Sequence, residues 1–297
     1  MRILDDMAYA AFAAFARLNR SLPPATARAM WVGLGQVAGG GLRIRRRTVD
    51  RQLAACFPQM SPRERARLAR GVYRHLALSL AEMLADDPRA RPSAVRVEPD
   101  WAPLEAALSR GRGAIVASAH LGNFELGGRV LAARYRLLDV VKPMRNRRFG
   151  DWLERERRRH GIGTVTVDGA APAVLAHLRS GGVVSLLLDQ DAGAGGVRLP
   201  FLGREASAWP GAARFSLQTG CPVIPMGILR QPDGGHVLHI GAALSPEGRA
   251  TDEVGIRTYA AEISTAVESY VRLAPEQWFW VHRRWKEVER GDGHAGA

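Results

Sequence analysis

The stretch "AIVASAHLGNFELGG" (residues 114–128) sets a histidine, His120, at the end of an apolar run and a glutamate, Glu125, five residues later. An imidazole works as a base when one ring nitrogen is held by a partner and the other is left free. A carboxylate placed like Glu125 could hold that first nitrogen and stabilise the imidazolium. Asn123, between them, is a residue type that caps helices, which would put Glu125 in the first turn of the helix that follows. Nothing nearby supplies a nucleophile elbow, and Ser118 lies inside the apolar run. The residue types therefore point to a base that activates a substrate hydroxyl, with no covalent intermediate on the protein.

Such a base needs elements to position it. From about residue 101, short apolar runs alternate with helical patterns. "GAIVASA", "LLDVVKPM", "GTVTV", "VVSLLLDQ" and "CPVIPMGIL" read as strands. "NFELGGRVLAAR", "FGDWLERERRRHG", "APAVLAHLRSGG" and "SAWPGAARFSLQTG" read as helices. The alternation predicts an α/β fold, a mostly parallel central sheet flanked by helices. In such sheets ligands bind beyond the carboxyl ends of the strands, where His120 stands. Residues 1–95 read as a helical N-terminal region, 96–290 as the α/β catalytic domain and 291–297 as a flexible tail. Within the first part Ser61, Pro62 and Glu64 spell a helix start with a capping box. "DDPRARPSAVRVEPDWAP" reads as a connector.

All but two of the 42 basic residues are arginines, the lysines being Lys142 and Lys286, and the net charge is +13. Arginine bias can reflect codon usage alone; it also suits a surface that meets anions. Nucleic acid is disfavoured as the partner. No binding motif occurs, and the aromatic residues, 7% of the chain, are not interleaved with the arginine runs. Cys56 and Cys221 suggest no disulfide framework. The apolar stretches "MAYAAFAAFARL" and "AMWVGLGQVAGGGL" are too short to span a bilayer and are broken or followed by arginines. They read as a membrane-associating region lying in the interface, or else as two packed helices.

Five segments in order resemble one family. "RRRTVDRQLAACFP", "HLGNFE", "VVKPMRN", "LLLDQDAGAGGVRLPFLGREA" and "PEQWFWVHRRWK" together span about residues 40–290. They are similar to the motifs of the bacterial lipid A biosynthesis secondary (lauroyl/myristoyl) acyltransferases, within the glycerophospholipid acyltransferase superfamily. Three positions depart from the family pattern: Gln52 for Asn, Lys142 for Arg, and Arg147 for the Pro that follows Asn146. Glu125 in place of Asp leans toward the lipid A branch rather than the mycobacterial mannoside acyltransferases.

The resemblance implies an acyltransferase that moves a fatty acyl chain from acyl carrier protein to a hydroxyl of a lipid A precursor. Its implied place is the cytoplasmic face of the inner membrane, against anionic lipid. Acyl-CoA as donor, with a lysophospholipid or another glycolipid as acceptor, is the alternative. No metal and no cofactor beyond the acyl thioester is implied. His120 would be the base and Glu125 its orienting acid. Arg158, within a run of three arginines that leaves the register open by one, would match a family arginine, and Asp189 a family aspartate on the sheet edge that carries His120. Asn123, Lys142 and Asn146 would support the site, and Gly203 would permit a tight turn near the donor pocket. "HRRWK" could contact an anion or form a buried ion-pair network.

Overall fold

A computed structural model describes residues 2–84, 87–144 and 146–286; the expected tail at 291–297 lies outside the described residues. The N-terminal part is helical, as its periodicity predicts. Helix α1 covers Arg2–Ser21 and α2 covers Pro24–Gln36, which continues into a π-helical turn at Val37–Gly41; α3 is Arg46–Cys56 and α4 is Pro62–Leu84. The capping box closes α4: the Ser61 amide donates to Glu64 Oε2 at 2.7 Å, and the Glu64 amide to Ser61 Oγ at 3.3 Å.

The α/β part begins inside the Pro-rich connector, which carries a short strand, β1 (Arg96–Glu98), before helix α5 (Ala102–Leu108). Then strand and helix alternate: β2 (Ala114–Ser118), α6 (Phe124–Ala132), β3 (Leu137–Val141), α7 (Arg147–Arg159), β4 (Ile162–Thr166), α8 (Ala170–Arg179) and β5 (Val183–Leu187). A hairpin of β6 (Val197–Phe201) and β7 (Arg204–Ala208) interrupts the rhythm. Helix α9 (Gly211–Thr219), β8 (Val223–Arg230), β9 (His236–Ile240) and α10 (Glu253–Leu273) complete the fold. The seven-stranded sheet has the order β1-β9-β8-β2-β5-β3-β4. Five strands are parallel; β9 runs antiparallel to β8, with β1 parallel to β9, so the far edge reverses.

β2 and β5 are central and lie side by side, with Ser118 opposite Leu187. Their alternate residues feed two cores, as expected of a sheet covered on both faces. Ala114, Val116, Val183 and Ile224 pack with Leu104, Leu126 and Leu131 from α5 and α6. Ile115, Ala117, Val184 and Leu186 pack with α8, α9 and α10, and also with Val49, Leu53 and Val72 from α3 and α4. The helical N-terminal part therefore shares a hydrophobic core with the sheet. Both cysteines are free.

The hairpin turn is Leu202-Gly203, with φ of 50° and 77°. Positive φ at both central residues is the two-residue turn that matches strand twist, and Gly203 supplies one of them without strain. The Leu202 amide is held by Glu268 Oε2 at 2.7 Å.

Among the described residues no helix is long and apolar enough to cross a membrane. Part of the apolar face of α1 is spent inside the protein: Phe12 packs on Phe149 and Trp152 of α7, with ring centroids 4.5 and 5.1 Å away. Among the described residues before α3, the large apolar side chains left in solvent are Met7 and Leu18 on α1, then Leu34, Val37, Leu42 and Ile44 around the end of α2.

Candidate active site

His120 and Asp189 each stand two residues beyond the end of a strand, β2 and β5. Because those strands are neighbours in register, the two residues meet. The ladder runs one bond further, from the Leu188 amide to Ser118 O at 2.9 Å, and then both chains turn into the site. Asp189 Oδ1 lies 2.8 Å from His120 Nδ1, and Asp189 Oδ2 accepts the backbone amide of His120 at 3.0 Å. Trp278 Nε1 donates to the same Oδ2 at 2.7 Å.

These bonds fix both charge and tautomer. Asp189 is 2% exposed. Burial alone would push its carboxyl up; the His120 imidazole and the hydrogen bonds from His120 and Trp278 outweigh it and hold the group down at about 2. An ionised carboxylate only accepts, so Nδ1 of His120 carries the proton. Nε2 then presents its lone pair. The amide nitrogen of Gln190, a donor only, lies 3.3 Å from it. Phe124 and Phe279 wall the imidazole at centroid distances of 4.9 and 5.9 Å. A base with one nitrogen held and the other facing a partly open, aromatic-lined edge can take a proton from a hydroxyl.

Glu125 occupies the first turn of α6, behind Asn123, whose Oδ1 accepts the Leu126 amide at 3.1 Å. Both expectations from the local sequence hold there. The expected bond from Glu125 to His120 does not form. Glu125 instead grips Arg157 with both oxygens, Arg157 Nε donating to Oε2 at 3.1 Å and Nη2 to Oε1. Both side chains are mostly buried. The orienting acid of His120 is Asp189, delivered by the strand next door, and Glu125 is the partner of an arginine.

The arginine register is likewise corrected. Arg157, not Arg158, reaches the site; Arg158 is exposed and pairs along its own helix with Glu154 at 2.7 Å. Burial works against the charge of Arg157, and the Glu125 carboxylate more than restores it. Beside this pair, in the middle of β3, sits Asp139. Burial pushes its carboxyl up to about 7, with Arg157 pulling the other way, and its Oδ1 is buried without a hydrogen-bond partner.

The remaining expected residues shape the surroundings. Asn146 caps α7, Oδ1 accepting the Arg148 and Phe149 amides at 3.1 and 3.3 Å. Lys142 is exposed just past the carboxyl end of β3. No hydrogen bond joins Lys142, Asn146 or Gly203 to His120.

The C-terminal segment straps the site shut from one side. The Gly122 amide donates to Gln277 O at 3.0 Å and the Phe279 amide to His120 O at 3.1 Å. Arg284, 1% exposed, donates to the carbonyls of Gln190, at 2.7 Å, and Ser207, and Lys286 pairs with Asp191. In "HRRWK" Arg284 is an internal strut and Lys286 an exposed ion-pair partner of Asp191. Gln52, one of the departures from the family pattern, clamps the strap. Its Nε2 donates to Trp280 O and His282 O at 2.8 and 2.9 Å, and its Oε1 accepts the Arg284 amide at 2.8 Å. Gln190 and Trp278 lie inside the family-like segments but are not among the site residues expected from them, and for Asp139 the signal is a charged residue inside the apolar run "LLDVV".

Residues 1–287 match the family of bacterial lipid A biosynthesis acyltransferases, and the chain belongs to that family. It is 28% identical to the lipid A biosynthesis palmitoleoyltransferase of Escherichia coli (strain K12) over 272 residues, 87% of this chain and 84% of that one. It is 28% identical to the lipid A biosynthesis lauroyltransferase of the same organism over 265 residues, 87% and 85% of the two chains. Over 131 residues, 41% of this chain and 40% of the other, it is 29% identical to a phosphatidylinositol mannoside acyltransferase of Mycobacterium tuberculosis (strain CDC 1551 / Oshkosh).

Proposed function

We propose that this member of the lipid A acyltransferase family moves a fatty acyl chain from the thioester of an acyl carrier protein to a hydroxyl of a lipid A precursor. His120 Nε2 takes the hydroxyl proton as the oxygen attacks the thioester carbonyl. A C–O bond forms, and the carbonyl becomes a tetrahedral oxyanion. The oxyanion collapses, the C–S bond breaks, and the imidazolium returns its proton to the leaving thiolate. Asp189 stabilises the imidazolium between the two steps without taking the proton itself. Phe124, which opens α6, packs edge-on against His120, so the positive end of that helix lies beside the reacting atoms and favours the oxyanion. Glu125 serves the reaction through Arg157.

One observation carries this reading: a buried carboxylate 2.8 Å from His120 Nδ1, at the carboxyl edge of the central strands, with Nε2 left on the other side of the ring. Replacing His120 with Ala should lower transfer by about 10² to 10⁴ in an assay with acyl carrier thioester and lipid A precursor, with the fold unchanged by circular dichroism. Near-parent turnover would remove His120 from the role of base. The partial likeness to a mannoside acyltransferase supports a second reading, the same chemistry on another glycolipid or a lysophospholipid, with acyl-CoA as a possible donor. Mass spectrometry of products from competing acceptors and donors separates the two.

The place of action is the cytoplasmic face of the inner membrane, reached without a span. Val37, Leu42 and Ile44 stand in solvent at 55%, 70% and 53% exposure, interleaved with Arg43, Arg45 and Arg47. Exposed apolar residues among arginines suit the interface of an anionic bilayer. Salt should release the protein from vesicles only in part, since apolar burial adds to the charge attraction; full release would show attachment by charge alone.

A further inference from the structure

Two side chains that hold the turn from His120 to Asn123, Ser79 and Glu82, meet on one guanidinium. Arg230 ends β8, the strand beside β2, at the same edge of the sheet, and is 7% exposed. Its Nε donates to Glu82 Oε1 at 3.0 Å. Its Nη2 donates to Glu82 Oε2 at 2.7 Å and to Ser79 Oγ at 3.2 Å, and its Nη1 to His75 Nδ1 at 2.9 Å. Its backbone amide and carbonyl are both taken by the Gln277 side chain, each at 2.8 Å.

Three of those partners hold the catalytic turn. Ser79 Oγ donates to Gly122 O at 3.0 Å, Glu82 Oε2 accepts from Asn123 Nδ2 at 2.8 Å, and Gln277 O accepts the Gly122 amide. The turn is pressed close against β8. A Cβ at residue 122 would stand 2.0 Å from Ile228 O, and φ there is +59°, so only glycine fits. None of these contacts touches the imidazole, and Asp189 holds it from the other side.

We propose that the Arg230 side chain is a positioning group for acyl transfer: through Ser79 and Glu82 it fixes Gly122 O and the Asn123 side chain, and so the turn that sets the direction in which His120 Nε2 faces the acceptor hydroxyl. A buried ion pair gains little net stability over apolar residues of the same volume. A fork of fixed geometry does supply direction, and small misplacements of a reacting group are costly in rate. Burying Arg230 and Glu82 under this turn is explained by that need. The inference rests on His120 being the base.

The test uses the full chain with Arg230→Lys, which keeps the charge and loses the fork, and Ser79→Ala, which deletes one bond to Gly122. Steady-state rates are read with thermal unfolding and with ¹⁵N-imidazole spectra in which His120→Gln identifies the His120 signals. Arg230→Lys should lower kcat about 10- to 100-fold and Ser79→Ala about 3- to 10-fold, with KM for both substrates within about twofold. The shape of the pH profile should be kept, because Asp189 still holds Nδ1. The His120 signals should move in both variants. Parent kcat and unmoved His120 signals in both would overturn the proposal. So would a loss of rate matched by the loss of folded protein, the folded remainder turning over normally. If Arg230→Lys does not fold, Ser79→Ala decides. If the parent shows no transfer to these substrates, the function proposed above fails alone, and the imidazole spectra still judge the positioning.

Discussion

Asp189, buried, and Asp139, half-buried, are two acids of one sheet, and their carboxyls are shifted in opposite directions. Asp189, past the end of β5, receives hydrogen bonds from an imidazole, an indole and a backbone amide, and its carboxyl is held down at about 2. Asp139, in the middle of β3, has one oxygen without a partner and feels Arg157 largely after Glu125 has engaged that cation, and its carboxyl is pushed up to about 7. Burial acts in the same direction on both. The donors aimed at the carboxylate decide which acid stays ionised and can stabilise an imidazolium. Charge at this site is assigned by partners, and depth in the protein only raises the stakes.

The sharpest way to break the comparison is to take the charge from Asp189 and leave its shape. Asp189→Asn would offer His120 an amide in place of the carboxylate, favouring the wrong tautomer. Turnover should fall by about 10⁴ with little change in fold; a fall below tenfold would show that the imidazole is oriented by something else. The next effect is thermodynamic. Arg157→Gln strands the Glu125 carboxylate in a mostly buried place and should cost about 1–3 kcal/mol in denaturant unfolding. Arg158→Gln, on the outer face of the same helix, should leave the midpoint where it is. Equal effects of the two would put the register back in question.

The smallest effect belongs to Asp139. Its folded carboxyl binds a proton up to about pH 7, whereas the unfolded one releases it near pH 4. Between those values the folded chain holds the extra proton, so this group's contribution to stability falls as pH rises and is lowest above 7. Asp139→Asn removes that penalty. The variant should melt close to the parent at pH 4, above it by about a third of the full gain at pH 5, and by the full gain of a few degrees at pH 8. A difference that stays flat from pH 5 to 8 would mean that Asp139 is ionised throughout, like Asp189.

Much of this was legible in order of residues. The capping box at Ser61 and Glu64, the strand that ends before His120, the Asn123 cap and the tight turn at Gly203 depend on neighbours within a few positions, and local chemistry determines them. Asp189 could be placed on the edge that carries His120, since both follow apolar runs in a parallel sheet. The strand β1 was hidden because three residues among prolines carry no period; it is a strand because β9 lies beside it. The partner of His120 was hidden for a deeper reason. Glu125 is near it along the chain, but the helix that starts at Phe124 turns that side chain to Arg157. Asp189 is 69 residues away and is brought to 2.8 Å by the pairing of β2 with β5. One step along α7 is a rotation of about 100°, which separates Arg157 in the site from Arg158 in solvent. The sequence by itself determined which residues could do the chemistry and which elements carry them. Which acid meets the imidazole, which arginine turns inward, and that Arg230 gathers Ser79 and Glu82 under the turn after β2 were decided by the tertiary structure, because strand order and helix rotation are settled by the packing of two whole cores.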